Sequence, residues 1–251
     1  MAHDEGRFVW FELMSNDKEG AQRFYGEVLP WKFEEIDMGG GNHYPMIKVG
    51  DQGVAGFAPL PKEGVPAHWA SYVSVESVDE AAKKVVEAGG KTLMDAIDVP
   101  TVGRMQPVTD SEGAAFLLFS GANGDNDAVQ GNGSFHWNEL WAKDPEKVAA
   151  FYEKVLGYTH DVQQMPNGPY YVFKNGDKMR GGMMKSPIEG APSFWLQYVQ
   201  VEDCDAAVKR AVQNGGELQG EIMEVPGVGK FGIVKDTVGA TLGYITPGQQ
   251  G

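Results

Sequence analysis

Apolar and polar positions divide the chain into short strands and helices. Residues 8–14, FVWFELM, are strong β-formers and predict a strand, and a helix is expected from about Asp17 to Leu29. Turns that contain glycine then separate three short predicted strands, near 32–37, 43–49 and 54–59. A strand at 68–75 begins a second run of elements with the same order.

The second run contains a helix with clear start and stop signals. Ser77 and Glu80 have the spacing of a capping box, and Gly89-Gly90 predicts the end of the helix. Strands are expected after it, near 92–97, 104–109 and 115–119. The first 120 residues therefore contain the pattern strand–helix–three strands twice.

The same pattern recurs in the second half of the chain. Matched residues are 127 positions apart at Trp10/Trp137, Glu12/Glu139, Phe24/Phe151 and Tyr25/Tyr152, and 126 apart at Tyr44/Tyr170, Trp69/Trp195 and Gly90/Gly216. A constant offset with one single-residue deletion indicates a tandem duplication. We predict a first domain at 1–120, a flexible Gly/Asn/Asp-rich linker at 121–133 and a second domain at 134–251.

Five segments carry a family resemblance over essentially the whole chain. They are NDKEGAQRFYGEVLPW with KDPEKVAAFYEKVLGY, VSVESVDEAAKKVVEAGG, and VTDSEGAAFLLF with VKDTVGATLGY. They resemble the vicinal oxygen chelate superfamily, which includes glyoxalase I, extradiol dioxygenases and bleomycin- and fosfomycin-resistance proteins. The resemblance implies an α+β fold of four βαβββ modules, forming two cupped, incompletely closed eight-stranded barrel-like sheets with helices outside.

In that family, His, Glu or Gln side chains on the first, fourth, fifth and last strands hold a divalent metal. Aligned on the FY pair of each helix, the corresponding positions of this chain are Trp10/Trp137, Ala70/Leu196 and Leu117/Gly243, and the fourth strands VAGFA and RGGMM offer no conventional ligand. Indole, alkyl groups and glycine do not bind such cations as side-chain ligands. We therefore expect no metal and no cofactor, with an unusually bound divalent metal as the alternative.

Trp10 and Glu12 are two residues apart, as are Trp137 and Glu139, so each pair shares one face of its strand. If the indoles occupy ligand positions, each half contains an aromatic-walled pocket with one carboxylate in it. Glu12 and Glu139 are then candidate general bases or recognition groups.

The alternative is structural, because buried carboxylates are usually paired. Arg104 would then neutralise one carboxylate and Lys230 the other, since these two cations occur at matched positions. The same two residues are predicted to lie at the pocket rim and contact a ligand. Tyr44, Tyr170 and His68 complete the set of candidate ligand-binding residues.

Composition narrows the choice of partners. The chain has 251 residues, 35 acidic against 21 basic residues, and a formal charge of −14, which disfavours nucleic acid and anionic membranes. A single cysteine and the lack of a leader-like or membrane-spanning apolar run predict a cytoplasmic protein. Four modules in one chain are enough for a monomer, and a dimer stays open.

Three functions remain possible. The first is capture of a small organic molecule in aromatic pockets, as in antibiotic-resistance proteins. The second is a lyase, isomerase or hydroxylase-like enzyme that uses Glu12, Glu139 or an unusually bound metal. The third is a partner-binding scaffold without a ligand.

Overall fold

A computed structural model describes residues 2–165 and 168–248, and it contains four successive βαβββ modules. Module 1 contains β1 (Phe8–Met14), α1 (Lys18–Val28), β2 (Trp31–Gly39), β3 (Asn42–Val49) and β4 (Gln52–Ala58). Module 2 contains β5 (His68–Ser74), α2 (Val78–Glu87), β6 (Lys91–Thr92), β7 (Ile97–Val99), β8 (Gly103–Thr109) and β9 (Ala115–Gly121).

The second half repeats this order. Module 3 contains β10 (Phe135–Ala142), α3 (Pro145–Leu156), β11 (Thr159–Met165), β12 (Gly168–Asn175) and β13 (Lys178–Lys185). Module 4 contains β14 (Phe194–Gln200), α4 (Cys204–Gln213), β15 (Glu217–Val225), β16 (Gly229–Lys235) and β17 (Thr241–Pro247).

The helices begin where their sequences predict, because side chains cap their first N–H groups. Asp17 accepts a hydrogen bond from Gly20 N at 2.8 Å, and Ser77 accepts from Glu80 N at 3.3 Å. Helix α3 begins with Pro145 after the N-cap Asp144. Gly89, at φ +88°, follows α2 and allows the chain to leave the helix in a left-handed turn.

One predicted strand is divided. The stretch expected near 92–97 consists of the two-residue β6 and the three-residue β7, both paired with β8. Its counterpart β15 is continuous over nine residues and contains a bulge. The sequence pattern of short apolar runs did not distinguish a broken edge strand from a continuous one.

The strands form two open sheets, one from each half. The first has the order β2-β3-β4-β1-β5-β9-β8-β6, with β7 also on β8, and the second has the order β11-β12-β13-β10-β14-β17-β16-β15. The α+β class, the four modules and the two open sheets predicted from the resemblance are confirmed.

The chain packs into two compact units, and these units combine the modules differently from the two sheets. Unit 1 contains the segment ending at Trp10, Ala70–Ala128 and Asn138–Trp195, and thus modules 2 and 3. Unit 2 contains Phe11–Trp69, Val129–Trp137 and the segment from Leu196, and thus modules 1 and 4. Each unit therefore builds its core from both halves of the sequence.

The core of each unit contains the same buried polar triad. In unit 2, Tyr25 donates a hydrogen bond to Asp236 at 2.7 Å and accepts one from the Trp69 indole at 3.0 Å. In unit 1, Tyr152 donates to Asp110 at 2.9 Å and accepts from Trp195 at 3.0 Å. All six residues are buried. Each triad joins the two halves, since its tyrosine and aspartate belong to different halves.

The predicted linker includes one firmly held residue. Asp125 is buried, and its carboxylate accepts hydrogen bonds from Asp4 N and Ser74 Oγ, both at 2.6 Å. Asp4 in turn contacts Arg180 at 2.6 and 3.2 Å, and this hydrogen-bonded guanidinium lowers the pKa of Asp4 to about 2. Asp4 thus holds the segment before β1 in place, through its backbone N–H to Asp125 and through its carboxylate to Arg180. Among the described residues, no helix combines the length and apolarity needed to cross a bilayer.

Candidate functional site

Each of the two candidate carboxylates accepts a hydrogen bond from a tyrosine hydroxyl. In unit 2, Tyr44 on β3 donates a hydrogen bond to Glu12 Oε1 at 2.8 Å. In unit 1, Tyr170 on β12 donates to Glu139 Oε1 at 2.9 Å. The structure thus brings together two of the predicted site residues in each unit, as a carboxylate–phenol pair.

Glycine on the neighbouring strand makes room for each pair. Glu12 lies beside Gly56 in the parallel β1–β4 register, and Glu139 lies beside Gly182 in the β10–β13 register. A methyl group on either glycine would overlap the tyrosine hydroxyl and ring. On each fourth strand, a glycine therefore gives space to the tyrosine ring. Sequence reasoning missed this role, although both glycines and both tyrosines recur at the repeat offset.

The second half adds another donor to its carboxylate. The Trp141 indole N–H donates to Glu139 Oε2 at 2.6 Å, and the Phe194 ring lies 5.2 Å from the Trp141 ring. Glu139 is 8% exposed, whereas Glu12 is half-buried. The matched positions of the first half are Met14 and His68.

His68 begins β5 and is half-buried. Its Nδ1 is 2.9 Å from the Pro66 carbonyl oxygen. Because a carbonyl oxygen only accepts, Nδ1 carries the hydrogen, and Nε2 is an acceptor in the neutral ring.

Trp10 on β1 and Trp137 on β10 are both half-buried. On β1, Phe11 and Leu13 point to the face opposite Trp10 and are buried in the core, as the alternation predicts. The contribution of the two indoles to a ligand pocket stays a prediction.

The two predicted rim cations are bound to carboxylates of their own units. Arg104 donates to Asp98 at 2.6 Å and to Asp79 at 2.9 Å, and Lys230 forms an ion pair with Asp205. The structural alternative named these cations as partners of Glu12 and Glu139; a tyrosine hydroxyl donates to each of these carboxylates, and the Trp141 indole also donates to Glu139.

The side chains at the site do not fit the family's metal. Among residues 2–165 and 168–248, no group of three or more His, Cys, Asp or Glu side chains is placed to hold a metal ion. Gly56 and Gly182 occupy the fourth strands, and Glu12 and Glu139 each accept a phenolic hydrogen bond. A single carboxylate with a phenol partner is an incomplete donor set for a divalent cation.

Other titratable core groups have structural surroundings. Burial raises the pKa of Asp110 and Asp236 in the triads, although their backbone and tyrosine hydrogen bonds oppose that shift. Cys204 is buried, and burial raises the pKa of its thiol to about 11, as expected of a core residue and not of a nucleophile.

Comparison with known families and sequences places the chain among related proteins. The profile described as Glyoxalase/Bleomycin resistance protein/Dioxygenase superfamily matches residues 134–244, and the profile of a bleomycin resistance protein-like N-terminal region matches residues 7–50. "Putative glyoxylase CFP32" of Mycobacterium tuberculosis is 37% identical over 253 residues, covering 98% of this chain and 97% of that protein. The anthracycline biosynthesis protein DnrV of Streptomyces peucetius is 29% identical over 237 residues, covering 88% and 86%.

Solved structures share the fold at low sequence identity. The 2,2',3-trihydroxybiphenyl 1,2-dioxygenase of Sphingomonas wittichii strain RW1 has a TM-score of 0.65 and 14% identity, with 99% of this chain and 92% of that chain covered. The Mn(II)-bound glyoxalase of Novosphingobium aromaticivorans has a TM-score of 0.62 and 16% identity, covering 96% and 81%.

Proposed function

Because the chain belongs to the glyoxalase/bleomycin resistance/dioxygenase superfamily, we propose that it binds a small aromatic molecule without a metal, at one or both of its carboxylate–phenol pairs. The observation that carries the proposal is the repeated hydrogen bond from Tyr44 to Glu12 and from Tyr170 to Glu139. Each phenol fixes one carboxylate oxygen and thereby orients the group.

The surroundings of these pairs suit an organic ligand. Pockets for small molecules are mostly apolar with a few placed polar groups, and in unit 1 the Trp141 indole donates to Glu139 and the Phe194 ring packs on Trp141. We propose that the carboxylates supply direction and that aromatic side chains of the same unit supply flat apolar surface. The proposed binding uses no metal, because the carboxylate–phenol donor set does not fit a divalent cation.

A thermal-shift screen tests the proposal, since a ligand that binds the folded state raises its melting temperature. The panel contains naphthalene-2,3-diol, catechol and, because of the name of the Streptomyces relative, the anthracycline daunorubicin. Wild type should be stabilised by at least one compound, and E12Q/E139Q should lose that shift. The control E80Q removes an exposed carboxylate on α2 and should keep it.

Two results contradict the proposal. One is that no compound stabilises the wild type. The other is that the double variant responds as the wild type does. Metal analysis of protein purified without chelator is the companion measurement, and a stoichiometric metal held by the protein would contradict metal-independent binding.

One observation favours a second candidate, an enzyme that uses Glu12 as a general base. A carboxylate oriented by a phenol on a rigid strand can take a proton from a bound substrate. Mass spectrometry of the panel compounds after incubation with the protein tests it. Product formation that E12Q abolishes supports catalysis, and unchanged compounds support capture alone.

A further inference from the structure

A carboxylate from the first half of the chain joins three segments of unit 1. Glu112 lies in the turn between β8 and β9 and is half-buried. Its Oε2 accepts hydrogen bonds from Lys143 N at 2.8 Å and from Ser193 Oγ at 2.7 Å. Its Oε1 accepts from Asp144 N at 2.9 Å. We call these four residues the Glu112 clamp, and all of them belong to unit 1.

The clamp is a firm connection because of the groups that form it. Hydrogen bonds to an ionised carboxylate are shorter and stronger than those between neutral groups. Two of the donors are backbone N–H groups, which have no side-chain rotamers, and the third belongs to Ser193, which is buried. Lys143 N also donates to Ser193 Oγ at 3.1 Å, so the two segments that Glu112 joins contact each other as well.

The clamp ends beside the aromatic residues next to Glu139. Ser193 directly precedes Phe194, and Lys143 follows Trp141 by two residues. The Phe194 and Trp141 rings are 5.2 Å apart, and the Trp141 indole donates to Glu139 Oε2 at 2.6 Å. The clamp therefore holds the end of β10 and the start of β14, the two places from which these rings project.

The repeat shows that the fold itself does not require this clamp. Val238 occupies the position of Glu112 in the other half, and Ala67 occupies that of Ser193. Alkyl side chains accept no hydrogen bonds, so these two residues cannot form the same connection. The matched helices and strands nevertheless form in unit 2. The clamp is thus an addition to unit 1, on the side of the aromatic pair.

We propose that Glu112 is a positioning residue for ligand binding at Glu139. It keeps Trp141 and Phe194 at a fixed spacing, so that their rings form an aromatic wall beside the carboxylate before a ligand arrives. Ordering side chains during binding costs affinity, and a wall that is already ordered avoids this cost. The inference rests on the proposed function and specifies a ligand with a flat ring, because contacts between rings depend on their spacing and angle.

Isothermal titration of the full chain tests this role, with whichever of naphthalene-2,3-diol, catechol and daunorubicin gives the largest thermal shift. E112A removes both acceptor oxygens and should weaken binding about fivefold, the cost of ordering one side chain on binding. S193A removes one of the three bonds to Glu112 and should weaken binding less. The controls are E80Q on α2 and V238A at the matched turn of unit 2, and both should bind as the wild type does.

A double-mutant cycle separates positioning from a general loss of stability. W141L keeps an apolar side chain and removes the ring that Glu112 is proposed to position. If Glu112 acts through this ring, E112A should leave the affinity of W141L nearly unchanged, although it lowers the melting temperature in both backgrounds. The same fold loss of affinity in both backgrounds would overturn the inference, and so would unchanged affinity in E112A alone.

A spectroscopic measurement reports the position of the ring without any ligand. In the full chain labelled with 5-fluorotryptophan, the fluorine resonance of Trp141 is the one missing from W141L. It should shift or broaden in E112A and S193A and stay in place in E80Q and V238A. An unchanged Trp141 resonance in E112A would overturn the inference. If no panel compound binds the wild type, the proposed function fails and this inference with it; if E139Q abolishes binding and E112A leaves it unchanged, only this inference fails.

Discussion

The buried triads allow a quantitative prediction, because each tyrosine hydroxyl serves two partners. Y25F leaves the ring in place and removes the hydroxyl that donates to Asp236 at 2.7 Å and accepts from Trp69 at 3.0 Å. A hydrogen bond to a charged group contributes about 1.5–3 kcal/mol, and a buried indole N–H without an acceptor costs about 1–3 kcal/mol. We expect Y25F to lower the free energy of unfolding by about 3 kcal/mol, and Y152F to act through the same two bonds in unit 1.

Urea unfolding followed by circular dichroism measures both variants. The matched control is Y244F, because the Tyr244 hydroxyl is fully buried and has no hydrogen-bond partner among the described residues. Removing an unpaired buried hydroxyl should leave the protein equally stable or stabilise it by about 1 kcal/mol. Losses below about 0.5 kcal/mol in Y25F and Y152F, or a larger loss in Y244F, would refute the reasoning.

The pH dependence of Y25F follows from the pKa of Asp236. Burial raises this pKa in the folded state, and the tyrosine hydrogen bond counteracts that rise. In Y25F the pKa rises further, so the folded state binds more protons than the unfolded state over a wider acidic range. The loss in stability should be largest at neutral pH, where the carboxylate is charged, and should shrink as the pH falls and Asp236 becomes protonated.

Three further predictions concern other parts of the chain. In R180M the pKa of Asp4 should return from about 2 toward its ordinary value, and the variant should be less stable than the wild type by about 1 kcal/mol above the unfolded-state pKa of Asp4. Thermal melts should show this stability difference vanish as the pH falls from about 4 to about 2. G56A should displace Tyr44 from Glu12 and lower the melting temperature, whereas G26A in α1, where a methyl group meets only Phe33 at ordinary contact distance, should stabilise by up to about 1 kcal/mol. Cys204 should react with a thiol reagent only upon unfolding, because its thiol is buried and has a pKa of about 11, and fast labelling of the native protein would contradict its placement.

Local signals made the elements predictable. The caps at Asp17, Ser77 and Asp144 act over three residues, and the repeat offset transferred the helices and strands of the first half to the second, apart from the division into β6 and β7. Strand alternation also gave the buried face of β1, with Phe11 and Leu13 in the core. These features depend on residues that are close together in the sequence, so they can be predicted from a single sequence.

The partners of the candidate site depend on distant residues. Alternation placed Glu12 and Glu139 on faces of their strands, but it did not identify Tyr44 and Tyr170 as donors 32 and 31 residues away. The cations Arg104 and Lys230 looked equally suitable, since they too recur. One signal was available in the sequence, namely that a tyrosine on one strand and a glycine on the next strand both recur in the second half. A glycine at that place lets the tyrosine ring cross its strand.

The interleaving of modules has a consequence for synthesis on the ribosome. Unit 1 extends no further than Trp195, whereas unit 2 needs Tyr25 to find Asp236, 211 residues later. The apolar surface of module 1 must therefore wait until the segment around Asp236 has been synthesised, and contacts so distant in sequence form slowly. During that time the nascent N-terminal module is the part of the chain most in need of chaperone protection.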